Sequence, residues 1–237
     1  KNLFLHVPIY DSNTAYGLHQ PARGFFENDK GELFMYTHFF IYKYFPDKKY
    51  FMRVETGVNQ NNYDGYVIED IIGEKNYLVC ITRNHGLFIY DPDGNLLKIY
   101  AAELFETGVL NNAYKSSSGQ IWLATQGGTY VTDNLEKLLD GEEQTFRYVP
   151  GTHGIIIENI TEDKKGNIWA ATDGHGLVRI NPKNLETKEI QKNPDIEGSV
   201  LSNKTALIYV DNQNNLWSFF NNYGFSLTNL DHFSIFH

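Results

Sequence analysis

The sequence has little cysteine, no long apolar run and no cluster of basic residues. Its single cysteine, Cys80, excludes a disulfide within the chain, and its place between Val79 and Ile81 predicts a buried core residue. No run of about 18 apolar residues occurs, so no segment is expected to cross a membrane as a helix. The chain carries 20 basic and 29 acidic residues, a net charge of −9. Scattered basic residues in an acidic chain argue against nucleic-acid binding, because phosphate affinity depends on clustered positive charge.

Catalytic signatures are absent as well. The sequence contains no glycine-rich phosphate loop, no His-Glu-x-x-His and no Gly-x-Ser-x-Gly. We therefore expect no catalytic residues, no metal site and no cofactor. Residues 1–9 are too short, and have the wrong flanks, for a secretory signal. We expect the chain to be an excised or processed piece of a longer protein that meets a membrane only through segments outside it.

What the sequence does contain is a repeated pair of short strands. Residues 163–181 read DKKGNIWAATDGHGLVRIN, which predicts a tight turn, an apolar strand, a second turn and a returning strand that stops at Pro182. Residues 117–131 are a close copy, residues 211–225 a looser one, and residues 29–37 and 74–90 are degenerate copies. Carboxylates recur at the first turn, where we expect them to hydrogen-bond their own backbone rather than a metal. They are Asp29, Asp163 and Asp211.

The copies align at one position of the second strand, occupied by Phe34, Val79, Trp122, Trp169 and Trp217. These residues lie 45, 43, 47 and 48 residues apart. A period of about 40–50 residues that carries several short strands is typical of propeller blades. A solenoid would need helical periodicity, which these segments lack. We expect the tryptophans to fill the gaps between neighbouring blades, which are buried on both faces.

The pattern Asp163-x-x-Gly-Asn-Ile-Trp-x-x-Thr-x-x-x-Gly-Leu, followed by the Asn181-Pro182 turn, resembles the two-component regulator propeller repeat. The copies together cover nearly the whole chain. The resemblance implies the periplasmic sensor region of a hybrid two-component histidine kinase of the kind abundant in gut Bacteroidetes, with the kinase outside this chain. It also implies a seven-bladed ring, neighbouring propeller and sandwich domains as partners, and a homodimer in the intact protein.

The predicted fold class is all-β, a β-propeller with about five four-stranded blades that form part of a seven-bladed ring. The blades are expected at residues 22–54, 65–100, 109–149, 155–190 and 205–237, with residues 1–10 as an outer strand of a preceding or closing blade. A closed five-bladed ring with residues 3–9 as an added edge strand is the alternative. Residues 134–140 predict a single helical turn capped by Asn134, and the fifth blade is expected to close near residues 233–236.

Propeller geometry places the loops between second and third strands, and the loops between blades, on one face around the channel mouth. These loops carry amide, imidazole, guanidinium and phenol groups, which suit a hydroxyl-rich ligand, although each group can equally be a solvated turn residue. The candidate residues are His38, Arg83, Asn84, His85, Asn112, Asp173, His175, Asn222 and Tyr223. We expect them to bind an oligosaccharide. Arg83 interrupts the repeat with a bulky cation and is the candidate for an acidic or sulfated sugar.

Two other functions stay open on the sequence. The chain can be a structural or dimerisation module that binds nothing small and associates through an exposed apolar patch, for which Phe39, Phe40 and Tyr42 are the candidates. It can also be an enzyme similar to the streptogramin lyases, which are propellers with a similar repeat and use a histidine and acidic residues around a metal. The sequence contains no convincing cluster of that kind.

Overall fold

The computed structural model of the chain describes residues 7–10, 21–56, 67–140, 145–195 and 199–233. Within these ranges the chain is almost entirely strand and turn, arranged as five separate sheets. The chain divides into two compact units, residues 1–101 and 102–237. Two sheets belong to the first unit and three to the second, so the fold is all-β, as the sequence predicted.

The first unit contains two sheets made of consecutive strands. These are β1 (Ile9–Tyr10), β2 (Gly24–Glu27), β3 (Leu33–Tyr36), β4 (Ile41–Phe45), β5 (Tyr50–Arg53), β6 (Ile68–Glu74), β7 (Tyr77–Thr82), β8 (Gly86–Tyr90) and β9 (Leu96–Tyr100). The first sheet has the order β1-β5-β4-β3-β2, and the second has the order β6-β7-β8-β9. From β2 onwards, each strand pairs antiparallel with the next strand of its sheet, which is the meander connectivity of a propeller blade.

The first sheet gains a fifth strand from the start of the chain. Ile9 lies opposite Phe51 in a parallel pair at the outer edge of β5, and the Phe51 N–H donates to the Pro8 carbonyl at 3.0 Å. Val7 and Ile9 also pack against the apolar cluster on one face of this sheet. The described part of residues 1–10 therefore belongs to the first sheet rather than to a preceding or closing blade, because it covers an unpaired strand edge there.

The same apolar cluster overturns one expectation from the sequence. Phe40 and Tyr42, expected on an exposed apolar patch, are buried in this cluster, and Phe39 is partly buried against it. The segment that contains Val7 and Ile9 packs over these aromatic rings. That prediction was wrong, because the alternation of residues along β4 does not reveal which other segment covers its outward face.

The core between the first and second sheets includes the single cysteine. Cys80 packs with Phe34, Leu78 and Tyr90 in one apolar cluster and is buried, as the sequence predicted. Burial raises the pKa of its thiol far above the usual range. The thiol therefore stays protonated and acts as a small apolar side chain.

The second unit contains three sheets. Their strands are β10 (Leu110–Lys115), β11 (Ile121–Thr125), β12 (Gly128–Thr132), β13 (Arg147–Tyr148), β14 (Ile157–Glu162), β15 (Ile168–Thr172), β16 (Leu177–Ile180), β17 (Thr187–Ile190), β18 (Leu207–Val210), β19 (Asn215–Phe220) and β20 (Gly224–Asn229). The third and fourth sheets have four strands each, in chain order, whereas the fifth is β18-β19-β20. Phe233 lies outside any strand, and residues 234–237, where the closing strand was expected, lie outside the described residues.

Short helices occupy three of the connections. The helix α1 (Leu135–Asp140) follows β12, and the Oδ1 atom of Asn134 accepts the Lys137 N–H at 3.0 Å, so this turn is capped as predicted. Two single turns of 3₁₀-helix span Ala102–Leu104 and Pro150–Thr152. The second of these belongs to the connection between the third and fourth sheets.

The strand register confirms the alignment of the repeats. In four of the sheets, the aligned residue of the second strand lies opposite the first-strand residue eight positions earlier. The pairs are Phe26 with Phe34, Tyr114 with Trp122, Thr161 with Trp169 and Tyr209 with Trp217. In the second sheet Val79 lies opposite Ile72, because the β6–β7 turn is one residue shorter. The repeats thus have the same position in each sheet.

Two tryptophans fill the space between neighbouring sheets. Trp122 and Trp169 are 0% and 2% exposed. Trp122 packs against Ile157 and Ile160 of the fourth sheet, and Trp169 packs against Ile208 of the fifth. The role of filler between blades, expected from the sequence, is confirmed for Trp122 and Trp169, whereas Trp217 is only half-buried.

The turns that precede Trp169 and Trp217 are each closed by a carboxylate. Oδ1 of Asp163 accepts the backbone N–H groups of Lys165 and Asn167, each at 2.9 Å, while Oδ2 accepts the indole N–H of Trp169 at 2.9 Å. Asp211 makes the same contacts in the fifth sheet, with an indole distance of 3.0 Å. The side chain therefore fixes the turn and the indole together, as a local Asx-type arrangement.

In the first sheet the equivalent turn residue is Asn28. Its Oδ1 atom accepts the N–H groups of Lys30 and Glu32 at 3.1 and 3.0 Å. The sequence assigned this role to Asp29, which was wrong by one position because this turn begins one residue earlier than the degenerate repeat suggested. The amide provides the same acceptor geometry as the aspartates, and Phe34 needs no indole acceptor.

Asp211 links the stability of the fifth sheet to pH. The indole N–H of Trp217, followed by the backbone N–H of Asn215, holds the pKa of Asp211 well below its usual range. A carboxylate with a depressed folded-state pKa stabilises the fold above its unfolded pKa of about 4, and this contribution is lost as the pH falls towards the folded pKa. We expect the urea midpoint to fall between about pH 5 and pH 3, and to fall less in Asp211→Asn. An equal fall in both proteins would contradict the assignment.

One face of the fifth sheet is apolar and exposed. Five residues of β18, β19 and β20 form what we term the open face, and their side chains are 38–59% exposed. They are Leu207, Tyr209, Phe219, Phe225 and Leu227. Trp217 lies half-buried among them, 5.7 Å from the Phe225 ring. The opposite face of this sheet packs on the fourth sheet through Ile208 and Leu216.

Candidate functional site

The loops between second and third strands are built on a repeated threonine. The hydroxyl of Thr82 donates to the Gly86 carbonyl at 2.9 Å and accepts the His85 N–H at 3.2 Å. Thr172 makes the same contacts with Gly176 and His175, at 2.9 and 3.0 Å. The two histidines therefore share a position because the loop construction repeats, as their spacing indicated.

In the first unit, four charged or ionisable side chains meet at one end of the two sheets. This end carries the loops between second and third strands, and we term it the loop end. Arg23 Nη2 contacts Glu69 Oε2 at 2.8 Å, and Arg83 Nε contacts Glu69 Oε1 at 2.5 Å. Arg23 Nη1 lies 2.6 Å from His38 Nε2. We term these four residues the arginine cluster. Two of the residues singled out from the sequence, His38 and Arg83, are thus joined through Arg23 and Glu69.

The strands and turns of the repeat bring the arginine cluster together. Arg23 directly precedes β2, His38 lies in the β3–β4 turn and Arg83 in the β7–β8 turn. The Ile68 N–H donates to the His38 carbonyl at 2.7 Å, which ties the two sheets at this end. Glu69 lies at the irregularity in the β6–β7 register between residues 68 and 70, where its side chain is directed to the loop end.

The sequence did not identify Arg23 and Glu69 as site residues. Glu69 lies in β6, which also carries Asp70 and Glu74, and its side chain is only 6% exposed. A carboxylate in such a place needs partners, because burying an unpaired charge is costly. An acidic residue at the start of an inner strand was the available signal, but its partners come from separate loops that only the fold brings near.

The other two candidates of the first unit stand beside the cluster. Asn84 is exposed, and His85 is half-buried in the same turn as Arg83. Neither side chain takes part in the contacts that join the arginine cluster. Asn84 presents an amide to solvent there, which suits contact with a ligand hydroxyl.

The candidates of the second unit lie in three separate pairs. Asp173 Oδ1 contacts Lys204 Nζ at 2.9 Å, and His175 Nδ1 lies 3.2 Å from Glu189 Oε2. Tyr223 is 63% exposed, and Lys192 Nζ lies 5.9 Å from its ring centroid. The adjacent Asn222 is exposed and has a φ of 68°, a left-handed turn conformation that asparagine tolerates better than most residues.

Asn112 has a structural role between sheets. Its Oδ1 atom accepts the Ile160 N–H at 2.9 Å, and Asn159 does the same for the Ile208 N–H at 3.1 Å. Both asparagines follow a register irregularity at the start of an inner strand. The equivalent position of the fifth sheet is Leu207, which has no acceptor to offer.

The inner strands of the second unit border an open cleft of about 740 Å³. Its lining comes from β10, β14 and β18 together with Trp217 and Phe219 of β19. The lining includes Asn112, Tyr114, Asn159, Tyr209, Trp217 and Phe219. The cleft is mostly apolar, and its amides are engaged in the ties between sheets. It is continuous with the open face rather than with the loop residues.

Within the described residues, no three histidine, cysteine, aspartate or glutamate side chains lie close enough to hold a metal ion together. The same residues contain no helix of the length and apolar character that a membrane span requires.

Comparison with solved structures identifies the architecture. Two structures of the extracellular domain of BT4673 from B. thetaiotaomicron, described as a one-component and as a hybrid two-component system, match with TM-scores of 0.68 and 0.66. Sequence identity is 19% and 20%, over 87% of this chain and 27% of theirs. The WD40 beta propeller domain of Doa1 matches with a TM-score of 0.57 and 9% identity, over 79% of this chain and 57% of that one. The chain has the β-propeller fold.

The propeller is similar to an enzyme as well. Catalytically inactive virginiamycin B lyase from Staphylococcus aureus, solved with quinupristin, matches with a TM-score of 0.63 and 13% identity, over 89% of this chain and 70% of that one. At these identities the similarity establishes the fold alone. The chain spans about a quarter of the BT4673 extracellular domain. No family model matches the propeller sequence, and no curated protein matches it.

Proposed function

We propose that this propeller is part of the extracytoplasmic sensor region of a hybrid two-component system, and that it binds an oligosaccharide at the loop end of its sheets. The observation that carries the proposal is the match to the BT4673 extracellular domain over 87% of this chain. The repeat pattern around Trp169 supports the same assignment independently. Relay to a kinase would then be performed by segments outside this chain.

The chemistry of the loop end supports a sugar as the ligand. In the first unit, Asn84 offers an exposed amide and Arg83 an exposed guanidinium. In the second unit, Tyr223 separately offers an exposed ring beside a lysine. Amides and guanidinium groups donate to hydroxyl oxygens, and an aromatic face packs against the C–H face of a sugar ring. These groups stand on turns that are fixed by rigid sheets, so little conformational entropy is lost when they bind a ligand.

A thermal-shift screen of the complete extracytoplasmic region tests the proposal. The panel contains neutral, uronate-containing and sulfated oligosaccharides of plant and host origin. We expect one class to raise the melting temperature saturably, because a ligand that binds only the folded state stabilises it by mass action. No shift across the panel would contradict oligosaccharide sensing.

The open face of the fifth sheet favours a second role, in which the propeller packs against a further β-sheet of the same repeat. Trp122 is covered by the fourth sheet and Trp169 by the fifth, whereas Trp217 occupies the same position on a face with no cover among the described residues. In the second unit, the equivalent faces of the third and fourth sheets are each covered by the next sheet along the chain. The repeat therefore indicates that the open face is covered by one more sheet of the same kind. Leu207 and its neighbours would be buried by such a sheet.

Polar substitution of the open face tests this role. Leu207→Thr with Phe219→Thr is expected to leave the stability of the isolated propeller nearly unchanged, because both side chains are exposed there. In the complete extracytoplasmic region, the same pair is expected to lower the melting temperature by about 5 °C or more, through lost apolar burial. Leu97→Thr, at an exposed leucine of β9, is the control and is expected to be neutral in both. A neutral result for the pair in both proteins would contradict the packing role.

A further inference from the structure

The arginine cluster retains unused hydrogen-bond donors after its internal contacts are made. Each carboxylate oxygen of Glu69 is taken by a different arginine, Arg23 or Arg83. Both guanidinium groups keep their charge throughout the physiological pH range. The neighbouring carboxylate of Asp70 accepts the Tyr36 hydroxyl at 2.9 Å. One buried carboxylate therefore holds two guanidinium groups.

Arg83 has the donors best placed for a ligand. Among the described residues its side chain contacts only Glu69, through Nε, so its two Nη atoms have no partner there. Its side chain is 55% exposed, whereas that of Glu69 is 6% exposed. The buried carboxylate thus fixes one side of the guanidinium and leaves the outer edge to solvent. That edge presents two parallel N–H donors, a geometry that matches two oxygens of a carboxylate or sulfate group.

His38 adds a donor to the same place. A guanidinium can only donate, so the Nε2 atom of His38 accepts from Arg23, and the ring proton of the neutral imidazole lies on Nδ1. Arg23 in turn is held by Glu69 at 2.8 Å. The contacts therefore hold His38 as well as Arg83, and leave the Nδ1–H of His38 as a donor that Arg23 does not use.

The arginine cluster is not part of the repeat. In this it differs from the residues that build the loops, which recur from sheet to sheet. The loop threonine recurs in the second, third and fourth sheets, as a structural residue should. The residue that follows it is Arg83 in the second sheet, Gln126 in the third and Asp173 in the fourth. Asp173 is paired with Lys204, so the sign of the charge is reversed at the equivalent position. Construction of the loop does not explain an arginine there.

We propose that the arginine cluster binds the acidic group, a carboxylate or a sulfate ester, of an oligosaccharide. The outer edge of Arg83 takes two oxygens of that group, and His38 donates from Nδ1. The inference rests on the proposed function and adds the class of sugar, a uronate or a sulfated residue. Arg23 and Glu69 are positioning residues, since they hold His38 and Arg83 in place and leave the outer edge of the Arg83 guanidinium available to the ligand.

Titration calorimetry on the complete extracytoplasmic region tests the site, with variant Arg83→Gln. The probes are trigalacturonate, a sulfated disaccharide without carboxylates, neutral maltotriose and inorganic sulfate alone. Arg147→Gln is the matched control, because Arg147 also contacts a carboxylate that a second cation shares. Its partner Asp133 binds Arg147 at 2.6 Å and Lys137 at 2.7 Å, and the side chain of Arg147 is 44% exposed.

We expect an acidic probe to bind, Arg83→Gln to weaken it about 10- to 100-fold, and Arg147→Gln to leave it unchanged. Added sodium chloride should weaken the same binding. Which of the two acidic probes binds distinguishes a uronate from a sulfate ester. Because Glu69 keeps Arg23 as a partner at 2.8 Å, Arg83→Gln should still fold, and an unchanged melting temperature without ligand verifies this.

The outcomes separate the acidic site from the proposed function. Equal affinity of wild type and Arg83→Gln, or binding of maltotriose alone, would overturn the acidic site and leave oligosaccharide sensing in place. Arg83-dependent binding of inorganic sulfate without any oligosaccharide would support the anion site and contradict the sensing function. Binding of none of the probes would overturn both.

Discussion

Replacing Trp169 with alanine is expected to lower the free energy of unfolding of the second unit by about 4 kcal/mol. The indole is 2% exposed and joins two sheets, with Ile208 and Leu216 of the fifth sheet packed against it. Removing it leaves a cavity between the two sheets, because the hydrogen bonds within each sheet keep the backbones from moving together to fill the space. Its N–H bond to Asp163 is lost at the same time. Urea unfolding followed by circular dichroism measures the loss without relying on tryptophan fluorescence.

Trp217→Ala is the matched control for this prediction. Trp217 makes the same bond to its turn aspartate, at 3.0 Å, but lies half-buried on the open face. We expect a loss of about 1 kcal/mol, since little of its apolar surface is removed from water in the isolated propeller. Equal losses for the two tryptophans would show that the indoles act through their turns rather than by filling the space between sheets.

Asp163→Ala is expected to cost about 3 kcal/mol in the same assay. The substitution leaves the indole N–H of the buried Trp169 without an acceptor and removes the Oδ1 contact that holds the turn N–H groups of Lys165 and Asn167. A buried donor that is left unpaired costs the full desolvation penalty of that group, whereas the backbone N–H groups of the turn can hydrogen-bond to water. The loss should therefore come mainly from the indole.

Two further variants divide these contributions. Asp163→Asn keeps one oxygen for the turn but presents an N–H₂ group where the indole needs an acceptor, so we expect an intermediate loss. Ser116→Asp is the reverse experiment, because Ser116 occupies the equivalent position of the third sheet and the buried Nε1 of Trp122 has no partner among the described residues. We expect a gain of about 1 kcal/mol, net of the cost of burying the carboxylate. A loss of stability in Ser116→Asp would contradict the role given to Asp163.

The fold could be predicted from the sequence because the repeat fixes local geometry. Turn residues such as Asp163 and Gly166 set the strand register, and the spacing of the tryptophans then aligns every sheet. What the sequence could not show is which segments cover the outer faces. Phe40 and Tyr42 are buried because Val7 and Ile9 reach across their sheet, a contact between residues about 30 positions apart.

The candidate site could be predicted only in its outline. The loop threonines and glycines place Arg83, His85 and His175 at strand ends, which local pattern alone establishes. The arginine cluster depends instead on which loops of adjacent sheets face each other, and on the buried Glu69 that holds two cations. Glu69 is one of three acidic residues in β6, and the local sequence does not show which of them pairs with arginines from other loops.

The asparagine ties between inner strands have a consequence for hydrogen exchange. The N–H groups of Ile160 and Ile208 lie on the edges of β14 and β18 that no strand pairs within their sheets, and each is bonded by an asparagine of the preceding sheet. Exchange of either proton with deuterium requires its bond to the asparagine of the preceding sheet to open, by separation of the sheets or by rotation of that side chain. The two amides are therefore site-specific reporters of how tightly neighbouring blades are held in solution.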